Sequence, residues 1–202
     1  MLKSWKPKPF KRISPLKNAE YFKLRRRALS AKFPGEWLIL PTGHLKVRSN
    51  DQFYKFRANS DFFYLTGNLE PDCVLILAPE AQGHSDILFV EPNPGKTDAT
   101  FFTDRVKGEL WEGARLGVPE SRGLYSIQDC RSLNDLESFV FEKIKKSGKP
   151  FRVLRGNSEK MENWLQLSGE AQASKDKLLA STLSEMRLIK DKAELKELAL
   201  VI

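Results

Sequence analysis

The chain has only two cysteines, Cys73 and Cys130, and only two histidines, His44 and His84, in 202 residues. Cysteines so far apart make no CxxC metal spacing and no disulfide framework, which excludes a thiolate zinc module and a disulfide-stapled secreted fold. Both lie in apolar or helical contexts, so two buried, reduced thiols are expected. The histidines share no short ligand spacing and sit in Gly-flanked polar segments, which reads as two solvated loop residues. Without GxSxG, or a Cys/His pair in a recognisable setting, nucleophilic hydrolysis has no visible apparatus. The glycines of GARLG, Gly113 and Gly117, fit neither GxGxxG nor GxxxxGK[ST], and they read as turn residues. No apolar run approaches the roughly 20 residues that span a bilayer, and no apolar signal region opens the chain. No membrane contact and a cytoplasmic setting are expected.

Acidic residues are absent from the first 17 positions, MLKSWKPKPFKRISPLK, where Lys3, Lys6, Lys8, Lys11, Arg12 and Lys17 supply six of the net +8. The remainder is nearly neutral. A basic, Pro-containing leader reads as a disordered tail or a strap across the surface. A nucleic-acid arm is disfavoured because regularly spaced stacking aromatics are missing, and a mitochondrial presequence because helical amphipathicity is weak. With 41% apolar and 30% charged residues, the rest has the balance of a globular protein, long enough for one ordinary domain and the start of a second.

Pattern then predicts the elements. Asn18 is placed to cap a helix through Phe33, with Phe22, Leu29 and Phe33 on one face and Arg25 to Arg27 on the polar side. Trp37 to Leu40 reads as a strand buried on both faces, and residues 41–55 as loop. Cys73 to Leu77 and Ile87 to Val90 suit a β-hairpin. Asp104 is placed to cap a short helix reaching Trp111. Ser132 and Asp135 open an amphipathic helix carrying Leu133, Leu136, Phe139, Val140 and Ile144, stopped by Gly148 and Pro150. Phe151 to Leu154 is a further strand, and helical pattern resumes between Ser158 and Leu183. Asp191 and Glu194 form a capping box for a last helix with Leu195, Leu198 and Val201, running to Ile202. Strands alternating with helices predict a three-layer α/β/α domain with a central mixed sheet.

FRANSDFFYLTG (56–67) concentrates charge, amide and aromatics. Ser60 is placed to cap a short turn, Asp61 suits its positive end, and Gly67 closes it in the left-handed region. Arg57 and Asn59 read as scaffold groups bonding the loop backbone. Asp61 and Asp72, eleven positions apart, resemble a pair of oxygen ligands to a divalent metal, but helix start and turn account for them and no further His/Glu set completes a site.

Three segments in order, FRANSDFFYLTGNLEPDCVLIL, GELWEGARLG and EMRLIKDKAELKELALV, resemble the N-terminal domain of Xaa-Pro aminopeptidases, the aminopeptidase P branch of the creatinase and prolidase superfamily. With the basic leader set apart as residues 1–17, the resemblance implies an N-terminal domain over 18–190 and, in 191–202, the first helix of a C-terminal catalytic domain. It implies that this other domain holds two divalent metals, typically manganese, and removes an N-terminal residue that precedes proline. No catalytic or metal-ligating residue falls in this chain on that reading, which leaves it without a cofactor and inert alone. Its expected partners are its own C-terminal catalytic domain, further copies in a homo-dimer or homo-tetramer, and peptides with proline at position two. One site residue carries over: Trp111, which would line a neighbouring subunit's active site, against the alternative of a helix-end residue packed on its own core. Arg115 reads as a surface ion pair, against the alternative that it supports the same edge. A second reading is a stand-alone peptidase-like module that binds a peptide or protein.

Overall fold

The structure, a computed structural model, describes residues 13–50 and 52–201. Most of the basic leader thus lies outside the described residues. Residues 13–17 lie along α5 (Val118–Tyr125), where the Leu16 N–H donates to the Leu124 carbonyl at 2.9 Å.

Five strands form a mixed sheet in the order β6-β5-β4-β1-β7: β1 (Trp37–Pro41), β4 (Val74–Pro79), β5 (His84–Val90), β6 (Asp129–Ser132) and β7 (Phe151–Val153). β4 runs antiparallel to both β1 and β5, while β7 is parallel to β1 and β6 parallel to β5. Every residue of β1 and β4 is buried, because these central strands are covered on both faces. β1 shows how the alternation works: Leu38 and Leu40 enter one core, Trp37 and Ile39 the other.

Against the first face pack α1 (Ala19–Lys32), α2 (Ser60–Thr66), α5 and α8 (Glu170–Leu188), through Leu29, Phe62, Tyr125 and Leu179. Leu29, Phe62 and Leu179 are completely buried, which stabilises by about 2 kcal/mol per side chain. Against the other lies a helical run over 133–147, with α6 (Leu136–Phe139) inside it and a π-type turn over Val140–Ile144, followed in sequence by α7 (Glu159–Leu165). The result is the expected three-layer α/β/α domain. Among the described residues no helix is long and apolar enough to cross a membrane.

Several local expectations need correcting. Arg25 and Arg26 are buried instead of solvated: the Arg26 Nε donates to Asp86 Oδ2 at 2.6 Å, and Arg25 donates to Asp191 Oδ2. His84 is half-buried, with Nδ1 2.8 Å from Ser30 Oγ and Nε2 2.6 Å from the Glu36 carbonyl, so it pins β5 to α1. Residues 41–55 contain a small hairpin of β2 (Val47–Ser49) and β3 (Gln52–Phe53). β6 was not foreseen: only Cys130 of its four residues is buried, so it lacks the apolar run of the inner strands. α9 (Lys192–Leu198) stops short of Val201.

Candidate functional site

β1, β5, β6 and β7 end, and β4 begins, along one edge of the sheet, so the loops 42–46, 67–73, 91–117 and 154–158 gather there. Openings beyond the carboxyl ends of strands are where α/β sheets accept ligands. The longest of these loops connects β5 to α5 and carries α3 (Thr100–Thr103) and α4 (Glu109–Glu112).

Within that excursion Asp104 does not open the helix reaching Trp111. Its Oδ1 instead accepts the N–H groups of Val106 and Lys107, each at 2.8 Å, and those bonds hold its carboxyl below the usual carboxylate range. Gly108 then opens α4. A Cβ on Gly108 would lie 2.3 Å from the Asp104 carbonyl oxygen and 2.6 Å from that of Thr100, so only glycine lets α4 fold back on α3. That close approach sets Trp111. Trp111 is 57% exposed and belongs to neither core, its Nε1–H donates to the Phe102 carbonyl at 2.9 Å, and the Arg105 guanidinium lies 5.6 Å from the ring centre.

Asn93 and Glu109 hold the GARLG turn, a node the sequence reading did not identify. Glu109 Oε1 accepts from Asn93 Nδ2 at 2.8 Å and from the Arg115 N–H at 3.1 Å. Arg115 donates from NH2 to the Pro92 carbonyl, so it ties the two arms of the loop together instead of forming the expected surface ion pair. The NPG turn signal at Asn93 was visible, but nothing local pointed to its partner sixteen residues on.

Beneath this loop lies a cavity of about 290 Å³ whose wall includes Leu69, Asp72, Glu91, Lys107 and Arg115. Lys107 Nζ bonds Glu91 Oε2 at 2.8 Å. Burial raises the Asp72 pKa, a shift opposed by the Lys107 charge and reinforced by Glu91. Asp72 also has a φ of 62°, in the left-handed region that Asp tolerates better than most residues.

FRANSDFFYLTG builds α2, although its cap is Asn59 and not Ser60. Asn59 Oδ1 accepts the N–H groups of Asp61 and Phe62 at 2.8 and 3.2 Å, and Gly67 closes the helix at φ 70°. Phe62 and Tyr64 turn inward, whereas Phe63 is 41% exposed. Asp61 pairs with Arg187 at 2.7 Å. Among the described residues Arg57 does not bond the loop backbone as expected: it is exposed and donates to the Ser60 hydroxyl at 3.3 Å.

The described residues do not fit a dinuclear metal centre. Asp61 is committed to Arg187, and no three His, Cys, Asp or Glu side chains among them come together to hold an ion. Cys73 and Cys130 are free and buried; burial pushes both thiols up, that of Cys130 to about 11. Neither is a nucleophile at neutral pH.

Residues 22–151 match the family model described as the aminopeptidase P N-terminal domain. Xaa-Pro aminopeptidase 1 of Streptomyces coelicolor is 38% identical over 98% of this chain, which spans 39% of that protein's length. Two solved structures share the fold. Aminopeptidase PepP of Pseudomonas aeruginosa superposes at a TM-score of 0.57 with 28% identity, over 76% of this chain and 32% of its own. Aminopeptidase P of Escherichia coli gives 0.59 with 24% identity, over 73% and 31%.

Proposed function

Because the chain belongs to the aminopeptidase P N-terminal domain family, we propose that it is the non-catalytic domain of a cytoplasmic Xaa-Pro aminopeptidase, shaping access to the active site and the assembly of subunits. The observation that carries this reading is colinearity: nearly the whole chain aligns with little more than a third of a longer Xaa-Pro aminopeptidase. On this reading residues 18–190 form the domain proper, and 191–202 lead into a C-terminal domain that holds two manganese ions. That domain would remove the residue before a proline at position two.

Trp111 is the residue assigned to substrate. A half-exposed indole on a helix fixed by the Gly108 contact and the Phe102 carbonyl is rigid and available to a second subunit. In a homo-dimer or homo-tetramer it would line the neighbour's peptide entrance.

The purified 202-residue chain, supplied with manganese and an Xaa-Pro peptide, is expected to release no amino acid. Turnover that rises in proportion to its concentration would overturn the assignment of catalysis to another domain.

A further inference from the structure

We propose that the opening between the β2–β3 hairpin and the loop after β7 is a binding site for a small oxyanion, a phosphate or a carboxylate group. A cavity of about 300 Å³ there is lined by Lys46, Lys55 and Arg57 together with His44 and Thr42. Among the described residues no aspartate or glutamate lines it. None of Lys46, Lys55 and Arg57 forms an ion pair among the described residues.

The arginines of the domain's body behave differently. Arg25, Arg26, Arg152, Arg155 and Arg187 each lie within 4 Å of a carboxylate. Like charges gathered in a concavity repel one another and focus a positive potential into it, which an anion relieves. Thr42 adds a second signal. Thr42 is 2% exposed, and its Oγ1 has no hydrogen-bond partner among the described residues. A buried hydroxyl left unpaired is unfavourable; with under 1 Å² of its surface accessible, Oγ1 does not itself reach an anion in the opening, and an enclosed water behind the site would pair with it.

Size and walls define the ligand further. The volume lies at the lower end of small-molecule sites, and Tyr54 and Phe56 alternate in sequence with Lys55 and Arg57 around the opening. An oxyanion carried on a small planar or apolar body fits this combination: guanidinium and ammonium groups for the charge, aromatic faces for the rest. Such a site is a property of this domain, with or without a catalytic partner.

Heteronuclear NMR on the full 202-residue chain tests it. Inorganic phosphate and acetate are titrated separately at constant ionic strength maintained with chloride. Saturable amide shifts confined to Thr42–Lys46, Tyr54–Asn59 and Gly156–Asn157 are expected, and the anion that saturates at the lower concentration identifies the group as phosphate or carboxylate. The double variant Lys46→Gln/Arg57→Gln, with both side chains exposed and the fold checked by circular dichroism, is expected to bind about tenfold more weakly. Lys143→Gln, which lines no part of the cavity, is expected to bind as the parent does. Shifts that grow linearly across the whole surface, an equal response to chloride, or an unchanged affinity in the double variant would each overturn the site.

Discussion

Arg26 shows how much a single side chain carries here. Its guanidinium is 2% exposed, donating to Asp86 and, through NH1, to the Leu65 carbonyl at 2.8 Å. Replacing it with methionine keeps the stem but leaves both acceptors short of a donor. Arg26→Met is expected to lower unfolding free energy by about 3 kcal/mol in urea titrations; a loss under about 1 kcal/mol would mean that water replaces the guanidinium. Asp191 couples stability to pH. Burial pushes its pKa up, but the Glu194 N–H and the Arg25 guanidinium outweigh that and hold it below the ordinary carboxylate value. A depressed folded pKa contributes stability above the unfolded value of about 3.9, and that contribution is lost as pH falls through the folded one. Asp191→Ala should therefore cost about 1 kcal/mol or somewhat more at pH 7, and the charge-dependent part of that difference should begin to shrink as pH falls below about 4 and be gone once the pH is below the folded pKa. An equal deficit at every pH would exclude the charge as its source.

At the level of elements, the loop carrying Trp111 depends on one close contact. Gly108→Ala places a methyl group against three backbone carbonyls, those of Asp104, Thr100 and Phe101, none of which can rotate away as a side chain would. α4 must lift from α3, which breaks the Trp111 bond to Phe102. Hydrogen exchange over 95–116 is expected to quicken at least tenfold, about 1.4 kcal/mol of local opening, with the urea midpoint of the sheet nearly unchanged. Unaltered exchange would show that the junction flexes freely. Legibility in the sequence follows the same line between local and distant causes. β1, β4 and β5 announce themselves as apolar runs because both faces are buried. β6, an edge strand of Asp129, Cys130, Arg131 and Ser132, has no such run and exists because β5 pairs with it. The capping box at Asp191 was legible because its partner Glu194 lies three residues on, whereas the burial of Arg25 and Arg26 was not, since their carboxylates lie 166 and 60 positions away. The candidate residues follow this rule as well: Trp111 was singled out through its surrounding motif and its role stands as a proposal, while the cations beside Thr42 become a group only when the hairpin and the loop after β7 meet.

Across the molecule, the surface around α9 joins the fold to its proposed role. Arg25 bonds Asp191 through Nε and NH2 at 2.9 and 2.6 Å and the Tyr64 carbonyl through NH1, and its guanidinium lies 4.4 Å from the Tyr64 ring centre. The entrance to α9 is therefore fastened to α1 and α2. Beside this anchor the chain leaves Leu188, Ile189, Leu195 and Leu198 exposed, Ile189 to 85%. Exposed large aliphatic side chains gathered near one helix are unfavourable in water, and on the proposed reading a C-terminal domain or a second subunit would cover them. The 202-residue chain alone is accordingly expected to bind a hydrophobic dye and to self-associate at high concentration. Ile189→Glu with Leu195→Glu should abolish both while shifting unfolding free energy by no more than about 0.5 kcal/mol, since neither side chain belongs to the core. A parent chain that remains monomeric and dye-free would show that water tolerates these side chains, and the covering domain would then have to be sought on another face.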